Sequence, residues 1–372
     1  MAMRDQRCWY HPRYAATRIF RHIPFARRRS TLVQTDPASP SAHHRIVRSP
    51  GHDDLEFARR AVGRHLVPTP LVRSDACWLK LETLQPTGSF KVRGAIAALS
   101  AAPDGARIVA ASAGNHALGI AFASETLGIP ATVVIAETAS PAKRAYLEQR
   151  PVTLIRYGQS VVEAEAFAID LVANADGPAH YVSPYNDTLV IAGQSTVLDE
   201  IVAELPDRPL RIVVPVGGGG LLAGIALRAA ELGETGSDIE IVGVESSESM
   251  AVSESVAAGY TVDVSIGETI ADGLSGNIEP CSITVSIIRE HAAKLIHASE
   301  RDIRETVRWL IQRHGLVAEG AGVAAIAAIR ADPSLTADRE TVAIVSGKNI
   351  SQQMLVDILT ENTSTSQGNN RS

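Results

Sequence analysis

A chain of 372 residues is long for a single hydrophobic core, so two lobes or one large α/β domain are expected. Hydrophobic residues make up 45% and charged ones 20%, a globular balance, and a net charge of -6 gives no electrostatic reason to expect a nucleic-acid partner. No apolar run approaches a membrane span, and three scattered cysteines (Cys8, Cys77, Cys281) supply neither a disulfide framework nor metal-ligand spacing, pointing to a cytoplasmic protein with no membrane partner.

The first 50 residues differ from the rest. They hold ten Arg against two acids, Asp5 and Asp36, followed by the Pro/Ser-rich piece "TDPASPSAHH". An Arg-rich, acid-poor leader can be a transit peptide, and a disordered extension or an upstream start codon accounts for it equally. Residues 1–50 are therefore read as a disordered Arg-rich extension.

Next comes "GSFKVRGA", residues 88–95. Only five of the 35 basic residues are Lys (80, 91, 143, 294 and 348), so this chain writes Arg where positive charge alone is needed. Lys91, between Phe90 and an apolar stretch, is either an ordinary surface lysine or one chosen because a buried amine can lose its proton and act as nucleophile or base.

Beyond it, short apolar runs alternate with helical patterns. "RIVAAS" precedes "NHALGIAFASETLG", with Gly128 as the stop, and "ATVVIA" precedes "SPAKRAYLEQR", with Ser140 as N-cap and Pro141 as first helical residue. "VTLIRYG", "LRIVVPV", "IEIVGVES" and "TVAIVSG" repeat the pattern. Fully apolar strands alternating with helices, in a chain with only 4% aromatics, predict an α/β fold of two doubly wound open sheets. Ligands in such folds sit beyond the carboxyl ends of the strands. The tail "NTSTSQGNNRS", residues 362–372, reads as disordered.

Three loops lie at such strand ends. In "PVGGGGLLAG" the backbone N–H groups of Gly217, Gly218, Gly219 and Gly220 can converge on a phosphate at a helix N-terminus; the other reading is a flexible turn. The loop lacks the Lys-Ser/Thr of a P-loop and the spacing of a dinucleotide fingerprint. In "ASAGNHA", Ser112, Gly114, Asn115 and His116 open a helix that could bind a carboxylate, with Asn115 reaching a ring hydroxyl. Alone, Ser112 or Asn115 reads as an N-cap and His116 as a packed helix residue. In "VSGKN", Ser346 offers a neutral hydroxyl, or a helix cap. One lysine, a phosphate cradle, a carboxylate loop and a neutral hydroxyl describe a holder for pyridoxal 5'-phosphate.

"LETLQPTGSFKVRGA", "ASAGNHALGIA", "IAGQST", "PVGGGGLLAG", "EGAGVAAIAA" and "SGKN" occur in this order over about residues 53 to 359. In this the chain resembles the pyridoxal-phosphate enzymes of fold type II, tryptophan synthase beta-like in fold, and most of all their threonine/serine dehydratase (ammonia-lyase) and serine racemase branch. The resemblance implies a large cofactor-binding domain over 51–106 and 188–360, a small domain over 107–187, and a homodimer or higher homo-oligomer. It implies that Lys91 is the Schiff-base and catalytic lysine, that Phe90 packs on the ring, and that Asn115 bonds the ring hydroxyl. It further implies that Ser346 meets the pyridine nitrogen and that Gly217 to Gly220 with Leu221 hold the phosphate. Residues 112–116, Ala113 included, would grip the substrate carboxylate, and Tyr185 with Asn186 and Asp187 would line the pocket for the β-substituent.

Fold alone does not choose the reaction. Val92 after Lys91 and His116 after Asn115 favour the dehydratase branch over cysteine-synthase-like relatives, and Ala113 stands where racemases of the branch commonly carry Ser. The expected reaction is β-elimination of water from a β-hydroxy amino acid such as L-threonine or L-serine, whose aminoacrylate product takes water back on hydrolysis to give a 2-oxo acid and ammonia. The alternatives are a related lyase acting on hydroxyaspartate, an aryl-serine or a diamino acid, a β-replacement enzyme, or a cofactor-binding protein without catalysis. Three departures stand out. Lys348 replaces a small residue, Cys281 replaces a common Gly, and Ala251 stands where metal-activated relatives pair an Asp with the residue at Glu245, so no metal site is expected. No regulatory domain is expected after residue 360.

Overall fold

The computed structural model describes residues 45, 47–292 and 294–361; most of the expected extension and the tail from 362 lie outside them. Among the described residues there are ten strands: β1 (Leu71–Arg73), β2 (Trp78–Leu81), β3 (Arg107–Ala111), β4 (Ala131–Ile135), β5 (Thr153–Arg156), β6 (Ala179–Tyr181), β7 (Leu210–Pro215), β8 (Ile239–Ser246), β9 (Lys294–Ala298) and β10 (Glu340–Val345). They make a six-stranded sheet, order β1-β2-β10-β7-β8-β9, and a four-stranded sheet, order β5-β4-β3-β6. Every pairing is parallel except β1 with β2, an antiparallel edge. The α/β expectation holds, with that one strand of opposite sense.

Both sheets are covered on both faces. Along β10, Val342 and Ile344 pack into one core while Ala343 and Val345 pack into another, the two-residue alternation of a pleated strand. In β3 the split is Ile108 and Ala110 against Val109 and Ala111. The helix Lys91–Ser100 buries Val92, Ile96 and Leu99 in the core of the smaller sheet, together with Leu55 and Val62 of the helix His52–His65. Burial of each such side chain contributes about 1.5–3 kcal/mol. Packing thus crosses the boundary expected at residue 106.

Two residues placed in the extension by the sequence belong to the folded part. Arg48 bonds the Asp54 carboxylate, and its carbonyl accepts from Thr188 Oγ1 at 2.7 Å. Arg45 finds three acceptors described below.

Strand order is what builds the site. β2, β10 and β7 are neighbours, so the segments leaving their carboxyl ends lie side by side: the one leading to Lys91, the one opening with Ser346, and the glycine loop. Ser89 and Gly347 form an isolated bridge, and the Phe90 N–H donates to Ser346 O at 3.1 Å. Beneath Lys91, the fully buried Arg93 reaches Glu82 at 2.7 Å and Glu200 at 2.6 Å, while Lys80 reaches Glu200 at 2.6 Å. This network fastens the lysine-bearing helix to β2 and to the helix Thr188–Glu204.

Candidate active site

Phe90, Lys91, residues 112–116, Tyr185, residues 217–221 and Ser346 all line one cavity of ≈ 600 Å³ between the two sheets. Lys91 opens its helix on the cavity wall, not on the outer surface. Its Nζ donates to Pro184 O at 2.7 Å and lies 5.1 Å from the centre of the Phe90 ring. Burial lowers its pKa to about 8, against the opposing pull of Glu319.

The glycine loop faces it. Gly219, at φ +85°, takes a left-handed turn into the helix Gly220–Gly233. Gly218 lies under the Tyr185 ring, so any Cβ there would collide with it. Among the described residues, no acceptor is bonded to the backbone N–H groups of 217–221. Free N–H groups at the positive end of a long helix, on a loop that admits no side chain at Gly218, fit a phosphate group.

The loop after β3 is shaped by Ser112, whose Oγ accepts the Gly114 N–H at 3.1 Å; the N-cap of the helix Asn115–Leu127 is Gly114, not Ser112 or Asn115. His116 is a packed, buried helix residue. Its Nε2 meets Val182 O at 2.9 Å, and burial, with Lys91 nearby, drops its pKa to about 3, leaving a neutral imidazole. Ser346 does not cap the closing helix Gln352–Thr360; Ser351 does.

Asn115 is held from two sides. Its Nδ2 donates to Glu319 Oε1 at 2.7 Å, and its Oδ1 accepts from Asn349 Nδ2 at 2.6 Å. Asn349 also donates to Thr87 O at 2.8 Å, tying the lysine segment to Asn115. The sequence alone assigns no role to Glu319 or Asn349, although both stand in motifs that carry the resemblance, "EGAGVAAIAA" and "SGKN". The available signal is a lone carboxylate before a run of small residues. Burial and the neighbouring Asp272 raise the Glu319 pKa to about 7.

One expectation, that Asn186 and Asp187 line the pocket beside Tyr185, needs correction. Asn186 and Asp187 do not line the cavity: the buried Asn186 accepts the Ile283 N–H at 3.0 Å, and Asp187 caps the helix Thr188–Glu204 through Leu189 N and Val190 N. The Tyr185 ring lies on the glycine loop and its Oη accepts the Glu279 N–H at 2.7 Å. Lys348 is exposed and lies outside the cavity lining. Cys281 sits at φ +59°, a left-handed position that explains why Gly suits it. Glu245 commits its carboxylate to Val252 N and Ser253 N in the first turn of the helix Ala251–Ala258. Among the described residues no group of three His, Cys, Asp or Glu is arranged to hold a metal ion, and no helix is long and apolar enough to cross a membrane.

Comparison with known proteins shows the family. The model of the family described as "Pyridoxal-phosphate dependent enzyme" matches residues 62–347. An L-threonine ammonia-lyase of Geobacter sulfurreducens is 36% identical over 276 residues, 73% of this chain and 67% of that protein. Among solved structures, a threonine deaminase isoform of Solanum lycopersicum, in its processed form, aligns with TM-score 0.74 and 27% identity, over 87% of this chain and 98% of its own. Maize serine racemase aligns with TM-score 0.76 and 26% identity, over 83% and 97%.

Proposed function

Because the chain belongs to the pyridoxal-phosphate dependent enzyme family, we propose that it is an ammonia-lyase that converts a β-hydroxy amino acid such as L-threonine or L-serine to a 2-oxo acid and ammonia, with Lys91 as its cofactor lysine. The observation that carries this reading is one juxtaposition. A lysine amine with a pKa lowered to about 8 opens onto the same cavity as a cradle of unpartnered glycine N–H groups.

The cofactor, when bound, supplies an electron sink for the charge left at the substrate Cα. Everything else falls to the chain. The N–H groups of 217–221 would hold the phosphate, Asn115 would meet the ring hydroxyl, and Ser346 would offer the ring nitrogen a neutral hydroxyl. Phe90 flanks the ring, and the N-terminal turn at 112–116 takes the substrate carboxylate. Lys91, neutral in part near pH 7, removes the Cα proton. Ala113 carries no hydroxyl to return a proton on the opposite face, which favours elimination over racemisation. His116, neutral and packed, serves as a wall.

In this reading the expected large part, 51–106 with 188–360, and small part, 107–187, meet at the cavity, with the helices His52–His65 and Lys91–Ser100 packed into the core of the smaller sheet. Resemblance to the dehydratase branch supports a cytoplasmic homodimer or larger homo-oligomer; light scattering that finds a monomer would remove that reading.

The direct test is 2-oxo acid release by cofactor-loaded protein over L-serine, L-threonine, their D-forms, threo-3-hydroxyaspartate and phenylserine. Turnover of L-threonine or L-serine, abolished by Lys91→Ala, is the expected result. Silence across the panel would sink dehydration of these substrates and move the assignment to β-replacement.

A further inference from the structure

Arg45 lies outside the residues matched by the family model, and the chemistry above gives it no role. Its side chain is nonetheless only 17% exposed and bonded at three points. Nη1 donates to Tyr181 O at 3.2 Å, while Nη2 donates to Asn186 O at 2.6 Å and to Glu279 Oε1 at 3.1 Å. The guanidinium also lies 4.8 Å from the centre of the Tyr181 ring.

These contacts bracket one segment. Between Tyr181 and Asn186 the chain passes from the smaller sheet toward the helix Thr188–Glu204. Within that stretch Pro184 supplies the carbonyl that holds Lys91 Nζ, and Tyr185 lies on the glycine loop. Glu279, the third partner of Arg45, is the residue whose own N–H donates to Tyr185 Oη. Arg45 therefore ties both ends of the segment to the loop that pins Tyr185 from the other side. Two carboxylates face this spot, Glu279 and Glu165, the latter accepting Tyr181 Oη at 2.7 Å. A planar fork with several donors can satisfy three acceptors in fixed directions, which an ammonium does less well. Removing it leaves the Glu279 carboxylate, 13% exposed, without its countercharge, and such a group moves toward water.

We propose that Arg45 is a positioning residue of this site: acting through Glu279 and Tyr185, it holds the 183–186 segment against Lys91 and the glycine loop, and so sets cofactor affinity. The proposal rests on the reading of the cavity as a pyridoxal-phosphate site.

The test is a double-mutant cycle on the equilibrium dissociation constant of pyridoxal 5'-phosphate, read from the visible absorbance of the lysine-bound cofactor in full-length wild type, Arg45→Met, Tyr185→Phe and the double variant. Arg45→Met is expected to raise Kd about tenfold, on the order of the loss of one charge-assisted hydrogen bond. The double variant is expected to bind no more weakly than the weaker single one, because both changes break one chain of contacts. A Kd within twofold of wild type for Arg45→Met would overturn the proposal. So would losses that multiply in the double variant, the mark of a general structural role. If Arg45→Met does not fold, Glu279→Gln takes its place in the same cycle under the same criteria. A wild-type protein that develops no visible band removes the cofactor reading itself; a normal wild-type titration with an unaffected Arg45→Met removes only this inference.

Discussion

Lys91 and Glu319 act on each other's protons across the cavity. Burial lowers the lysine to about 8 and raises the carboxyl to about 7, and the Glu319 charge holds the lysine higher than burial alone would leave it. The neutral amine is the reactive form, so cofactor uptake by apo-protein should quicken as pH rises and level off above about 8. Glu319→Gln removes the charge that favours the ammonium, and the midpoint of that profile should move to lower pH. Stopped-flow uptake rates across pH check this; a midpoint that rises or stays put would mean the two groups are not coupled. Lys91 can be picked out of the sequence because lysine is rare in this chain. Glu319 cannot: it is one of 41 acids, and its partner Asn115 is 204 positions away. A lone residue type advertises itself, whereas a pairing made by folding does not.

At the scale of elements, the glycine loop shows which local features the sequence carries. Four glycines between an apolar strand and an apolar helix signal close approach to something, but not that this something is in part Tyr185, from a distant segment. Gly218→Ala should push the Tyr185 ring off the loop, lowering stability by about 1–3 kcal/mol and weakening cofactor binding together with it. Gly63 is the contrast: it sits in the helix His52–His65 with open space around it, and Gly63→Ala should stabilise by about 0.4–1 kcal/mol. Denaturant unfolding of both variants separates the cases, and equal stability of the two would contradict the packing described here. The long apolar strands β3, β4, β7, β8 and β10 are legible because both their faces are buried. The three-residue strands β1 and β6 are not, since a partly exposed three-residue run has no period to read.

Over the whole molecule, the sheet order does what no single motif can. β-α alternation in the sequence implies parallel sheets, but not that β2, β10 and β7 are adjacent, and that adjacency sets Lys91, Ser346 and the glycine loop around one cavity. The Arg93–Glu82–Glu200–Lys80 network fastens the lysine-bearing helix, and Arg45 bonds both ends of the segment whose Pro184 carbonyl meets Lys91 Nζ. The central claim is that this convergence makes Lys91 the residue that takes the cofactor covalently. A chain with five lysines allows a direct measurement: load the protein with pyridoxal 5'-phosphate, reduce with borohydride, digest, and locate the modified residue by mass spectrometry. The account predicts stoichiometric modification at Lys91 and none in Lys91→Ala. Modification at Lys80, Lys143, Lys294 or Lys348 instead, or none in the wild type, would contradict it.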